Sequence, residues 1–322
     1  MHHADVELRM ALMVLQRLCL SALSLGLLLT GCRPWTEAVS ADSPIVLGAG
    51  ASFPSPLYQR WFSHLRVRKG ISLGYDPVGS GDGEHQLLAG LVDFAGSDLD
   101  ERTGLLPALT SDKWLRIPMT AGAVAIAYNH PDCELSLTRE QLRLIVSEQI
   151  DDFGQLGCAK QPITLFVRQN GSGTTAHLRR YLDATTQIWH HPRALRVNSN
   201  EAMATALVQH PGSIGYLNTV FLNGRRTLQV AALETDQGSF VTPEHVLEVE
   251  AHEYSGPGYP LTAVSWMVMR RNGLADKAAV LREAIAYGLS PEGQAAALGL
   301  GYVSLPEPLL KRARIQLDSL QP

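Results

Sequence analysis

The sequence has few charged residues and no excess of basic ones. Its 322 residues contain 27 Lys and Arg against 31 Asp and Glu, a formal net charge of −4. General nucleic-acid binding needs a basic surface that displaces counterions from phosphates, so this balance argues against it. Charged residues make up 18% and hydrophobic ones 45%, which excludes a disordered polymer. The length suffices for two domains of ordinary size.

The sequence also lacks the common catalytic and cofactor motifs. It contains no G-x-S-x-G, no H-E-x-x-H, no Walker A lysine and no Asp/His cluster with dinuclear-metal spacing. The run GAGASF lacks the third glycine of the dinucleotide fingerprint. With four cysteines and no C-x-x-C, a zinc site is not expected. We therefore predict a protein that is not an enzyme and holds no metal or cofactor, with a secreted phosphatase as the alternative.

The longest apolar run, residues 18–30, is too short for a comfortable bilayer span of roughly 30 Å. It follows Arg17 and ends at Leu-Thr-Gly-Cys, which resembles the bacterial lipobox. We predict a lipoprotein signal peptide at 1–31, with translation starting at Met1 or Met13. Cys32 would carry the lipid, and 32–43 would be a tether. The alternatives are an ordinary cleaved signal and a buried core helix.

Two cysteines remain after that assignment, because Cys19 leaves with the signal and Cys32 carries the lipid. Cys133 and Cys158 form an even pair in a chain that we expect to be exported to an oxidising compartment. We predict a disulfide between them, which restricts the unfolded chain and stabilises the fold by roughly 3 kcal/mol. The alternative is two buried free thiols.

Strand-like and helix-like segments alternate along the rest of the chain. Apolar spacing predicts helices at 55–67, 85–91, 138–147, 174–183 and 200–209, and strands at 71–75, 121–129, 163–168 and 259–269. This alternation is typical of α/β layers with parallel strands.

Four loops combine glycine with Ser or Thr after a predicted strand and before a helix. They span 51–53, 79–81, 96–98 and 171–174. Glycine admits a ligand close to backbone N–H groups, and helix N-termini offer unpaired donors to anions. For any one of these loops taken alone, a helix cap or a turn is the better explanation. Four together predict an anion site at one edge of the sheet.

Two charged residues accompany these loops. Arg168 ends a predicted strand three residues before Gly171, where a guanidinium can bind an oxyanion through two N–H groups. Its alternative role is a surface ion pair. Asp98 repels a fully ionised anion but accepts a hydrogen bond from one that carries a proton. Hydrogen phosphate carries that proton and sulfate does not; the alternative role of Asp98 is a helix cap.

The motifs GAGASFPSPLYQRW, VGSGDG, VDFAGSD, RQNGSGTT, GSIGYL, YPLT and GYVSLP occur in order over residues 45–310. As a set they resemble the substrate-binding protein of the bacterial phosphate ABC transporter. The resemblance implies an α/β fold of the type II periplasmic binding protein class, with two α/β domains, a two-strand hinge and a ligand cleft. It places domain I at 44–117 plus 262–322 and domain II at 118–261.

The same resemblance assigns site residues by position. The phosphate ligands would be Ser52, Phe53, Ser80, Asp98, Arg168, Ser172, Gly173 and Thr174. Where the family often has Asp two residues after the arginine, this sequence has Asn170, so we expect a site about one charge more positive.

The resemblance also implies partners and a location. They are inorganic phosphate, the permease subunits with their ATPase, and a membrane reached through the lipid anchor, on the periplasmic side or at the cell surface. We expect a monomer. Open alternatives are another oxyanion (arsenate, molybdate or sulfate) and a phosphate sensor or surface protein.

Overall fold

Strands and helices alternate along the chain as the sequence predicts. The structure is a computed structural model that describes residues 44–100, 103–183, 189, 192–245 and 258–322. The predicted signal peptide, the lipid attachment at Cys32 and the tether up to residue 43 lie outside the described residues. Within those ranges, no helix has both the length and the apolar character needed to cross a membrane.

Each predicted helix and strand overlaps an observed one. The strands are β1 (Val46–Gly50), β2 (Leu73–Asp76), β3 (Phe94–Ser97), β4 (Trp114–Tyr128), β5 (Ser136–Leu137), β6 (Thr164–Arg168), β7 (Leu195–Val197), β8 (Ser213–Asn218), β9 (Gln229–Val230), β10 (Ala232–Glu234), β11 (Phe240–Val241) and β12 (Thr262–Arg270). The helices are α1 (Ser55–Lys69), α2 (Ser80–Leu88), α3 (Arg139–Val146), α4 (Gly173–Tyr181), α5 (Asn200–Gln209), α6 (Lys277–Gly288), α7 (Pro291–Gly299) and α8 (Glu307–Asp318).

Local signals set the ends of several helices. Thr138 caps α3, and its side chain and that of Gln141 form a reciprocal capping box. Helix α1 ends at Gly70, whose φ of 68° lies in the left-handed region that glycine adopts at little cost. These helices therefore begin and end where short-range chemistry places them.

The main sheet has the order β2-β1-β3-β12-β4-β8-β6-β7, with β9 also against β4. We call β2, β1, β3, β12 and residues 114–123 of β4 the first sheet half. Residues 124–128 of β4 with β8, β6, β7 and β9 form the second sheet half, and each half also includes the loops and helices that follow its strands. Strand β1 is parallel to β2 and β3, and β6 is parallel to β7 and β8.

The prediction of parallel strands is wrong for the centre of the sheet. Strand β12 is antiparallel to both β3 and β4, and β4 is antiparallel to β8. The reason is that β4 and β12 carry the chain between the two sheet halves and are not members of strand–helix–strand units. Among the described strands of the main sheet, parallel pairing is therefore confined to the outer strands of each half.

Strand β4 runs through both sheet halves. It pairs with β12 as far as Ala123 and with β8 from Val124 onward. A second connection lies beside it, because Val124 N donates to Leu261 O at 2.8 Å and Tyr259 Oη donates to Val124 O at 2.8 Å. The division into domains at 117/118 and 261/262 stays a prediction, and the described residues from Pro44 onward belong to one compact unit.

Separate apolar cores lie beside the two halves. In the first, Tyr58 and Trp61 of α1 pack with Ile285 of α6. In the second, Cys133 is buried with Leu142 of α3. Cys133 is disulfide-bonded to Cys158, with their Cα atoms 5.4 Å apart. The predicted disulfide is confirmed, and it joins two loops at the edge of the second core.

Candidate functional site

Three of the four predicted loops connect a strand to a helix. Residues 51–53 lie between β1 and α1. Residues 79–81 comprise Gly79 and the first two residues of α2, and residues 171–174 lead from the end of β6 into the first two residues of α4. The fourth prediction was wrong in part: Gly96 and Ser97 end β3, Asp98 follows it, and the next helical segment among the described residues is a short 3₁₀ turn at Pro107–Thr110. Asp100 explains this: its side chain and backbone bond to Thr103 and form a turn.

The loops of the two sheet halves are in direct contact. Gly81 N donates to Gly171 O at 2.9 Å, across the gap between the halves. A Cβ added to Gly173 would lie 2.7 Å from Asp98 Cβ and 2.7 Å from Ser80 Oγ. Only a glycine fits at position 173 in this arrangement.

The first loop gives the site a buried hydroxyl. Ser52 is 4% exposed, and its Oγ accepts hydrogen bonds from the backbone N and the Nδ2 of Asn200 at 3.1 and 3.0 Å. The Phe53 side chain is fully buried, and its ring lies 5.1 Å from that of Tyr302. Tyr302 Oη also donates to Phe53 O at 2.7 Å. The phenylalanine therefore anchors the loop that carries the serine.

Asp98 is a buried carboxyl with an unpaired oxygen. Its backbone N donates to Ser80 Oγ at 3.2 Å, while Oδ1 has no hydrogen-bond partner among the described residues. Burial raises the pKa of Asp98 from 3.8 to about 7. The nearby Ser265 hydroxyl and the Arg168 guanidinium lower that pKa by less than burial raises it. The carboxyl therefore changes its protonation near neutral pH.

Arg168 lies at the end of β6 and is 3% exposed. One nitrogen, Nη2, donates to Asn198 O at 2.9 Å. Nε and Nη1 are buried and have no partner among the described residues. Burial lowers the pKa of Arg168 to about 10, so the guanidinium keeps its charge at neutral pH. Two oriented, charged donors are thus available to a ligand.

The start of α4 supplies the remaining predicted residues. Ser172 is the N-cap, and its Oγ accepts from Thr175 N at 3.3 Å. Thr174 is buried, and its Oγ1 donates to Asn218 Oδ1 at 3.3 Å. Asn170 is exposed, and it forms no side-chain hydrogen bond with any described residue, including Arg168.

Three polar residues at the site were missed by the sequence analysis: Asn200, Asn218 and Ser265. All three have no exposed surface. Asn218 ends β8, so its position at the carboxyl end of a strand was a usable signal. Asn200 directly follows Ser199, the N-cap of α5, and Ser265 lies inside β12 with no local signal.

The raised pKa of Asp98 predicts a pH-dependent stability. Between about pH 4 and 7 the folded state binds a proton that the unfolded state releases, so the free energy of unfolding falls as pH rises. The rise of the Asp98 pKa from 3.8 to about 7 corresponds to roughly 4 kcal/mol of unfolding free energy. Asp98→Asn should therefore raise the melting temperature of the ligand-free protein at pH 8 but not at pH 4. Asp318→Asn, an exposed change, is the control; equal effects of Asp98→Asn at both pH values would contradict the prediction.

The amino-acid sequence is similar to those of several curated proteins. The phosphate-binding protein PstS of Pasteurella multocida is 26% identical over 322 aligned residues, which cover 87% of this chain and 92% of that protein. Alkaline phosphatase L of Pseudomonas aeruginosa is 29% identical over 164 residues, 45% of this chain and 44% of that protein.

The fold also matches solved structures. A putative phosphate ABC transporter substrate-binding protein from Clostridium perfringens, solved with bound phosphate, superposes with a TM-score of 0.68 at 17% identity. The match covers 82% of this chain and all of that one. At this identity the likeness shows the fold alone, which is the type II periplasmic binding protein fold that the sequence predicts.

A family model described as "PBP superfamily domain" matches residues 36–292. That range is well over half of the 322 residues. This chain belongs to the PBP superfamily.

Proposed function

We propose that this protein binds inorganic phosphate between its two sheet halves and delivers it to an ABC importer. One observation carries the proposal: among the described residues, two nitrogens of Arg168 and one oxygen of Asp98 are buried without hydrogen-bond partners, and the Arg168 charge acts on Asp98. Leaving buried polar groups unpaired is costly, so a ligand that pairs them binds favourably. A tetrahedral oxyanion with one proton offers acceptors to the arginine and a donor to the aspartate. The names of similar phosphate-binding proteins support the same ligand.

Calorimetry tests this function. Titrating the purified protein with phosphate, arsenate and sulfate at pH 8 should give strong binding of phosphate and weak binding of sulfate. Arsenate shares the shape and the proton and should bind as well. Absence of phosphate binding would overturn the proposal.

Closure of the site follows from its two-sided construction. Ser52, Ser80 and Asp98 belong to the first sheet half, and Arg168 and residues 172–174 to the second. A ligand that contacts both sides stabilises the arrangement in which they meet.

The carboxylate of Asp98 also accounts for selection among oxyanions. At pH 8 it is mainly ionised, so it faces sulfate or molybdate with no proton between two acceptors. An asparagine at position 98 can instead donate a hydrogen bond from its amide nitrogen to a sulfate oxygen. We therefore predict that Asp98→Asn binds sulfate roughly tenfold or more tightly than wild type does at pH 8, from the cost of one unpaired buried group. Competition calorimetry measures this, and unchanged sulfate rejection would refute the role of Asp98.

The asparagine at position 170 is expected to have a smaller effect. Asn170→Asp adds a negative charge two residues from Arg168, but the position is exposed and solvent screens it. We predict phosphate binding about two- to fivefold weaker at low salt. Gln237→Glu, an exposed change of the same charge elsewhere in the chain, should have no effect. If the two variants bind alike, Asn170 has no role in the charge of the site.

The location and the partners are part of the same proposal. We propose an exported monomer, anchored by a lipid on Cys32, that delivers phosphate to permease subunits driven by an ATPase. The residues that match the lipobox support the anchor. Mass spectrometry of the N-terminal peptide from membrane-extracted protein tests it, and an unmodified Cys32 would contradict it.

A phosphatase is the second candidate, because one relative is named alkaline phosphatase L. Among the described residues there is no group of three or more His, Cys, Asp or Glu side chains placed to hold a metal ion. The hydroxyl of Ser52 is bonded to Asn200 and not to a general base. A p-nitrophenyl phosphate assay decides between the two; steady turnover would favour the phosphatase.

A further inference from the structure

Asn200 occupies an unusual place beside the proposed site. It is the first residue of α5, in the second sheet half, and has no exposed surface. Its backbone N and its Nδ2 both donate to Ser52 Oγ, at 3.1 and 3.0 Å. Ser52 belongs to the first sheet half, so these bonds join the two sides of the site.

The orientation of the Asn200 amide follows from its other contact. Asn218 N donates to Asn200 Oδ1 at 3.1 Å, and a backbone N–H requires an oxygen at that point. The nitrogen Nδ2 must therefore face Ser52. Both amide atoms are paired, and the side chain has one orientation.

A serine hydroxyl has one proton and two acceptor positions. Both acceptor positions of Ser52 are filled by Asn200, and no described residue accepts the Ser52 proton. We infer that Asn200 is a positioning residue that holds Ser52 as a hydrogen-bond donor towards the ligand. The inference rests on the proposed function. Next to the Ser52 hydroxyl, the site then favours a ligand atom that accepts a hydrogen bond, such as an oxyanion oxygen.

Asn198, two residues before Asn200, orients Arg168 in a similar way. Asn198 O accepts from Arg168 Nη2 at 2.9 Å and leaves Nε and Nη1 for the ligand. The segment 198–200 thus orients both the guanidinium and the serine proton. Because Ser52 and Asn200 lie on opposite sides of the site, the serine is oriented only when the two sides meet.

A double-mutant cycle with phosphate as the ligand tests this inference. Asn200→Ala should weaken phosphate binding about tenfold, the usual effect of one hydrogen bond. In the Ser52→Ala background the same change should have little effect, because there is no hydroxyl left to orient. The bond from Asn218 N to Asn200 Oδ1 is lost in both backgrounds and cancels in the cycle.

Two further variants complete the design. Asn200→Asp keeps the acceptor for Asn218 N but attracts the Ser52 proton, so it should bind phosphate more weakly than Asn200→Ala. Asn129→Ala is the control, because Asn129 is also buried and donates through Nδ2 to Leu207 O and Val208 O, outside the site. It should bind phosphate within twofold of wild type.

The outcomes separate this inference from the function on which it rests. Without phosphate binding by wild type, the function itself fails. If wild type binds but the effects of Asn200→Ala and Ser52→Ala simply multiply in the double variant, Asn200 does not act through Ser52. Wild-type affinity in Asn200→Asp, a variant of nearly unchanged volume, would overturn the inference as well.

Discussion

Replacing Arg168 with methionine is expected to weaken phosphate binding at least 100-fold. Arg168 is 3% exposed and keeps its charge at neutral pH, and its Nε and Nη1 have no hydrogen-bond partner among the described residues. Truncating one partner of a buried, hydrogen-bonded charge pair typically costs 2–5 kcal/mol, or roughly 30- to 5,000-fold in affinity. Methionine keeps much of the length and apolar volume of the side chain and removes the charge and the donors.

Arg168→Met is also expected to change the pKa of Asp98. The charge of Arg168 lowers the pKa of Asp98, so without it that pKa rises further and the carboxyl is protonated at pH 7. Calorimetry at pH 7 and 8 measures both consequences. Arg193→Met is the control, because Arg193 is exposed and forms ion pairs with Glu148 and Asp151 away from the site. A loss below about tenfold for Arg168→Met would show that the arginine is not a phosphate ligand.

Replacing Gly173 with alanine is expected to abolish tight binding while the fold persists. The added Cβ would lie 2.7 Å from Asp98 Cβ and 2.7 Å from Ser80 Oγ, closer than such atoms approach in proteins. Asp98 Cβ is fixed to the backbone, so the loops of the two sheet halves must separate. The guanidinium and the carboxyl then no longer reach one ligand together. We expect at least a 100-fold loss of phosphate affinity, similar to that of Arg168→Met.

The stability of this variant distinguishes lost closure from misfolding. Gly173 begins α4 with an ordinary helical backbone, where alanine is favoured by roughly 0.5–1 kcal/mol. The melting temperature without phosphate should therefore be unchanged or slightly higher. Phosphate should no longer reduce the radius of gyration measured by small-angle X-ray scattering. Gly299→Ala is the control, because a Cβ there meets no atom within 4 Å; wild-type affinity in Gly173→Ala would contradict the prediction.

Short-range sequence patterns predicted the helices, the strands and most of the loops well. Apolar spacing placed α1, α3 and α5 within two residues at each end, because each begins or ends at a capping residue or at Gly70. The strand–loop–helix order placed three of the four loops. The fourth depended on the turn at Asp100, which composition alone does not reveal.

What the sequence did not predict depends on contacts between distant parts of the chain. Asn200 meets Ser52 across 148 positions of sequence, and no local pattern marks such a pair. Pro118 also argues against an interior strand, yet it lies within β4. It is tolerated there because it pairs with Trp266 beside a bulge, where the register of β12 shifts. The directions of the strands and the positions of the three buried polar residues at the site likewise depend on contacts between residues far apart in the sequence.

The position of β12 has a consequence for the order of folding. It lies between β3 and β4 in the sheet, yet it follows the entire second sheet half in the chain. During synthesis the first sheet half therefore lacks the strand between β3 and β4 until residues 262–270 have been made. Pairings between such distant segments form slowly, because loop closure must come before the contacts that stabilise it. The first sheet half, although its strands are made first, is therefore completed last. The edge of β3 that pairs with β12 stays unpaired while the second sheet half folds.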